Sequence, residues 1–174
     1  MRILGIVIAL AFASCSTNKY YIVRHAEKAV VTKDSVGKMV NNPPLSEPGK
    51  VRAFVLRDEL KGANIKSIFS TNTIRTTTTA QPLSESIGVP ILLYSSSKDS
   101  ANAFTQKFKA LKGNVLIVGH SNTVDDIVNQ LTGRADIPGD LPDAEYDNMF
   151  IVTRKGKKWL FERKKYGYPS NPEK

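Results

Sequence analysis

The chain has 174 residues, 41% of them apolar and 24% charged, which suits one folded domain and excludes an intrinsically disordered protein. A single cysteine excludes an internal disulfide framework. The formal charge of +9 favours anionic partners: phosphorylated molecules, nucleic acid or acidic lipid head groups.

The first residues, "MRILGIVIALAFASCSTN", set Arg2 before an apolar run from Ile3 to Ala13 and then small residues before Cys15. That run is too short to cross a bilayer of roughly 30 Å as a helix and fits the h-region of a secretory signal. Phe12-Ala13-Ser14-Cys15 resembles a bacterial lipobox, with Phe12 where leucine is usual. The expectation is a leader, residues 1–14, cleaved before a lipidated Cys15, a short tether over residues 15–19, and one domain over 20–174. The protein is then exported and held at the cell envelope, at the outer membrane or the periplasmic face. A nucleic-acid partner is not expected there. The excess charge near the C-terminus, in "RKGKKWLFERKK", reads as the solvated face of a hairpin.

From Tyr20 onward, strand-like and helix-like runs alternate. Tyr20–Val23 is the first strand. After the loop "NNPP", Ser46 caps a helix to about Lys61, stopped by Gly62, with Val51, Phe54, Val55 and Leu60 as its apolar face. "NIKSIFS" is the second strand, and a helix from about Thr73 to Ser86 ends at Gly88. Its threonine run Thr76–Thr79 and Pro82 are poor helix material, so packing or function must override propensity. "VPILLY" is a third strand, Ser100–Lys112 a helix, "NVLIVG" a fourth strand and Thr123–Leu131 a helix ending at Gly133. "NMFIVT" and "KWLFER" form a hairpin around Gly156. The alternation predicts an α/β three-layer sandwich with a mostly parallel central sheet flanked by helices.

In such sheets reactive groups gather beyond the carboxyl ends of the strands. Arg24 and His25 follow the first strand, Arg75 the second, and His120 the fourth, so three strand ends deliver both histidines of the chain and two arginines to one edge. Two guanidinium groups beside two imidazoles suit a dianionic phosphoryl group, whose oxygens match arginine's planar fork. Two histidines committed to such a pocket leave no conventional zinc set, and no cofactor is implied.

"RHAEK", "PLSEPGKVRA", "STNTIRTTTTAQPL" and "VGHSNT", in that order, resemble the histidine phosphatase (phosphoglycerate-mutase-like) superfamily, over nearly all of Tyr20 to Arg163. Ala26 stands where that family usually has glycine. The resemblance implies that His25 is the nucleophile, forming a phosphohistidine, and that Arg24, Arg75 and His120 bind the phosphoryl oxygens. The partner is then a phosphorylated small molecule or a phosphoprotein. Many relatives also place a carboxylate between the second arginine and second histidine as general acid. Here Asp99 is the only candidate near that place, Asn122 follows where another branch has aspartate after its second histidine, and Glu27 and Glu145 remain alternatives.

With no well-placed acid, activated phosphoryl groups are the expected substrates: phosphoramidates or anhydrides before simple phosphoesters. The short interval between Arg75 and His120 implies a shallow, open pocket, more fitting for a phosphatase than for a mutase. A lipid-anchored phospho-ligand-binding protein of the same fold, without turnover, is the non-catalytic alternative. "GHSNT" lacks the last glycine of the G-x-S-x-G elbow, and no further histidine follows it, which disfavours a serine hydrolase.

Overall fold

The computed structural model describes residues 17–32 and 38–170. The leader and Cys15 lie outside the described residues. Strand β1 (Thr17–Arg24) is followed by a one-turn helix, α1 (Lys38–Asn41), and by α2 (Glu47–Leu60), β2 (Ile65–Thr71) and α3 (Ile74–Ile87). Then come β3 (Ile91–Tyr94), α4 (Lys98–Ala110), β4 (Asn114–Gly119), α5 (Val124–Thr132), β5 (Asn148–Lys155) and β6 (Lys158–Lys165). They build one six-stranded sheet in the order β3-β2-β4-β1-β5-β6. β3, β2, β4 and β1 run parallel, and β5 turns antiparallel to β1 and to β6.

The central strands are apolar on both faces because helices cover both. Tyr20, Ile22, Val115 and Ile117 point into one core with Val128, Leu131 and Phe108 of α5 and α4. Tyr21, Val23, Leu116 and Val118 point into the other, with Leu56, Leu60, Ala80 and Leu83 of α2 and α3. This period-two division of a continuous apolar run is what a parallel sheet covered on both sides requires.

Three readings of the sequence need correction. β1 begins at Thr17, so residues 17–19 are not tether. They pair with Lys155, Arg154 and Thr153 of β5, and the Asn18 side chain bonds Leu111 O and Gly113 N. α2 is turned from its expected orientation: it buries Gly49, Arg52, Ala53, Leu56 and Leu60, while Val51 and Phe54 stay about half exposed, at 49% and 50%. The cause is Arg52. Its guanidinium is buried, donating to Glu27 Oε1 (2.6 Å) and to the carbonyls of Tyr166 and Tyr168, and this network sets the helix rotation. Nor does Gly62 supply a left-handed stop; the left-handed residue after α2 is Asn64, at φ 52°. Ser46 does cap the helix, accepting from Gly49 N, and α3 ends as expected at left-handed Gly88.

Gly49 shows how tightly α2 meets the loop after β1: a Cβ there would overlap the carbonyl oxygen of Glu27. Gly49→Ala is expected to destabilise the fold by about 1–3 kcal/mol, as other overpacked sites do. Urea unfolding checks it; an unchanged midpoint would mean the loop yields freely.

Candidate active site

β1 and β4 are neighbours in register, with Arg24 opposite Gly119, and His25 N donates to Gly119 O at 2.9 Å. Both strands therefore end at the same height and release their histidines side by side. The His25 and His120 ring centroids are 5.4 Å apart, edge to face. Gly119 leaves room for this turn, since a Cβ there would lie 2.6 Å from Thr123 Oγ1 and 2.8 Å from Tyr94 Oη. Thr123 Oγ1 in turn accepts from His120 N.

The threonines that weaken α3 as a helix serve the site. Thr76 and Thr79 are fully buried. Thr79 Oγ1 accepts from Ala26 N (2.9 Å) and donates to Arg75 O (2.7 Å), fastening the loop after His25 to the helix that carries Arg75. Thr76 donates to Thr71 O (2.8 Å) and accepts from Thr71 Oγ1 (3.0 Å). With its own proton used there, Thr71 Oγ1 accepts from His120 Nε2 at 2.9 Å. This chain places the His120 proton on Nε2 and turns the Nδ1 lone pair toward Arg75 Nη2, 3.4 Å away.

For His25 the tautomer is the reverse. Its Nδ1 lies 2.7 Å from Ala26 O, a carbonyl that can only accept, so Nδ1 carries the proton and Nε2 keeps a lone pair. Burial, reinforced by Arg24, Arg75 and His120, lowers the His25 pKa to about 3. Burial and the two arginines lower that of His120 to about 4. Both rings are neutral near pH 7. The Arg75 pKa is lowered by burial and by the like charge of Arg24.

Arg24, only 2% exposed, is held from the far side. Nη1 donates to Pro142 O and Asp143 O, both at 2.9 Å, Nη2 pairs with Asp143 Oδ1 at 3.2 Å, and the Tyr146 ring covers the guanidinium at 4.2 Å. The segment 140–148 is thus a wall of the site as well as a link to β5. The Nε atoms of Arg24 and Arg75 are both buried without a partner among the described residues. Arg24, His25, Arg75 and His120 line one cavity of about 570 Å³ with Thr73, Asn122 and others.

The model of the histidine phosphatase superfamily, branch 1, matches residues 20–96, the stretch that carries Arg24, His25 and Arg75. Over that stretch the chain is similar to the histidine phosphatase superfamily. Among curated protein sequences none matches it. Solved structures share the fold at low identity. The protein histidine phosphatase SixA complexed with tungstate is 18% identical, with TM-score 0.64 over 84% of this chain and 96% of that one. A mycobacterial glucosyl-3-phosphoglycerate phosphatase gives 14%, 0.63, 84% and 97%, and a Plasmodium falciparum phosphoglycerate mutase 11%, 0.59, 91% and 98%.

The four residues expected to bind a phosphoryl group, Arg24, His25, Arg75 and His120, line this one cavity. The carboxylates divide differently. Asp99 falls in the first turn of α4 and its side chain lies outside the described residues. Glu27 is engaged by both Nε and Nη2 of Arg52, and Glu145 by Arg163 and Asn148, so each serves the structure. The carboxylates that line the cavity are Asp140 and Asp143, neither singled out in the sequence. Among the described residues no cluster of three or more His, Cys, Asp or Glu could hold a metal ion.

Thr71 also went unnoticed; its only sequence signal is its place at the end of β2. Thr71→Val keeps the shape but removes the acceptor for His120 Nε2. It is expected to lower kcat about three- to tenfold, the worth of one hydrogen bond. Steady-state kinetics beside a melting curve check it; unchanged kcat would show that His120 is oriented by other means.

Proposed function

We propose that this protein is a metal-independent phosphatase that works through a phosphohistidine on His25 and favours activated phosphoryl groups. The observation that carries this reading is the His25 ring: neutral, held by Ala26 O at Nδ1, with Nε2 unprotonated among two arginines and His120. The Nε2 lone pair forms the N–P bond while the bond from phosphorus to the leaving group breaks and its electron pair departs with that group. Arg24 and Arg75 neutralise the oxygens throughout, the work a cation would otherwise do. His120 donates to an oxygen only after Nδ1 takes up a proton, which the incoming dianion favours. Water then attacks phosphorus, the N–P bond breaks back to Nε2, and dihydrogen phosphate leaves with the water's oxygen and both of its protons.

Glu27, Glu145 and Asp143 are each paired with an arginine, which favours a leaving group that carries its own proton or departs as a stable anion. That supports phosphoramidates, phosphohistidine among them, or anhydrides, on a phosphorylated small molecule or a phosphoprotein. The test compares turnover of a phosphoramidate, an aryl phosphate and a sugar phosphate, with and without EDTA. The phosphoramidate should be fastest and EDTA without effect; a faster sugar ester would contradict the reading. We further propose that Cys15 anchors the enzyme by lipid to the cell envelope. Release of Cys15→Ser from the membrane fraction would support this, and unchanged retention would refute it.

A further inference from the structure

The rotation of α2 leaves apolar side chains on the surface beside the catalytic cavity. Val51 and Val55 of α2, with Pro48 at its start, line a groove of about 900 Å³ together with Tyr146 and with Tyr168 and Pro169 of the C-terminal segment. The groove is a built feature. Buried Arg52 forms part of its wall and ties Glu27, after the catalytic loop, to the carbonyls of Tyr166 and Tyr168. It is also continuous with the phosphoryl pocket: Lys28 and Asp143 line both, and Tyr146 lies on the Arg24 guanidinium, 5.9 Å from the His25 ring.

We propose that this groove is a specificity site for a polypeptide substrate, taking an apolar side chain that flanks the phosphorylated residue. The proposal rests on the phosphatase reading above and adds the recognition element that the phosphoryl pocket lacks. The size and form of the surface favour a polypeptide over a small leaving group. A single ring would fill little of 900 Å³, and half-exposed Phe54 extends the apolar face of α2. A chain lying across the site brings its phosphoryl group to His25 while a neighbouring side chain covers Val51, Val55 and Tyr168. Tyr146, which lines the groove, lies 5.9 Å from the His25 ring, a step that about two residues of extended backbone span at about 3.3 Å each.

The test uses short peptides phosphorylated on one histidine and flanked by either leucine or serine. Their affinities are read by fluorescence anisotropy on His25→Ala, which prevents turnover. The leucine-flanked peptide should bind about tenfold or more tightly, since covering one leucine-sized side chain is worth at least a decade. Val51→Asp or Tyr168→Ser, added to His25→Ala, should abolish that difference. Both positions are exposed, at 49% and 76%, so folding should not suffer. In the active enzyme the same substitutions should leave hydrolysis of a small phosphoramidate unchanged. Equal affinity for the two peptides, or a preference that survives both substitutions, would overturn the proposal. So would a Val51-dependent gain for naphthyl over methyl phosphate with none for leucine over serine, which would assign the groove to a small aromatic leaving group. Peptide discrimination in binding without any phosphoramidate turnover would leave the groove standing and refute the phosphatase reading instead.

Discussion

His25→Ala is expected to lower kcat/KM for a phosphoramidate by at least about a thousandfold, because the lost imidazole is the atom source of the new bond to phosphorus. The fold should survive, since His25 N still bonds Gly119 O and Ala26 N still bonds Thr79. Affinity for an inert oxyanion should fall only modestly, as Arg24, Arg75 and His120 remain. Retained affinity with lost turnover separates a nucleophile from a mere binding residue; a variant with more than a tenth of wild-type activity would contradict the assignment. The pH behaviour follows from the same environment. Free histidine titrates near 6.5, whereas His25 and His120 titrate at about 3 and 4. No loss of nucleophile is therefore expected as pH falls through 6.5. Stability behaves oppositely. Below 6.5 the unfolded chain binds protons that the folded rings refuse, so stability present above pH 6.5 is lost as pH falls through about 4 and 3. Urea midpoints at pH 7 and about pH 5 check this; a higher midpoint at the lower pH, in a variant series differing only at these histidines, would contradict it.

Arg24→Lys is the second large effect, with an expected fall of about a hundredfold or more in kcat/KM. Lysine keeps the charge, yet it cannot reproduce a fork that holds Pro142 O, Asp143 O and Asp143 Oδ1 together. The carbonyls released lie in the segment 140–148, so that segment should loosen as well. Faster hydrogen exchange or proteolysis there, absent in Arg75→Lys, would show that Arg24 both binds phosphate and fastens the wall. Equal behaviour of the two variants would mean that Arg24 has no structural share. The two losses should not simply multiply with that of His25, because residues of one site act as a unit.

The edge that carries the candidate site was legible because it follows from topology: parallel strands end on one side, and Arg24-His25, Arg75 and His120 each stand just past such an end. Helix limits at Ser46 and Gly88 were legible from capping chemistry. The orientation of α2 was not, because counting apolar residues favoured Val51 and Phe54, while the buried position went to Arg52, whose partners Glu27, Tyr166 and Tyr168 are distant in sequence. The roles of Thr76 and Thr79 were hidden for the same reason: low helix propensity signalled an override without naming the partners Thr71 and Ala26 N, and Thr71 itself carried no signal of its bond to His120. Asp140 and Asp143 reach the cavity because the segment 140–148 packs against it through contacts distant in sequence, Arg24 on Asp143 O and Leu141 N on Ser121 O.

One experiment bears on the central assignment more directly than any variant. The enzyme is mixed briefly with a phosphorus-labelled phosphoramidate, quenched in alkali and digested, and the labelled peptide is mapped. The account predicts a label that is stable in alkali and lost in acid, located on His25 and absent from His25→Ala. Label on any other side chain, or phosphate release in a single turnover with His25 never labelled, would contradict it.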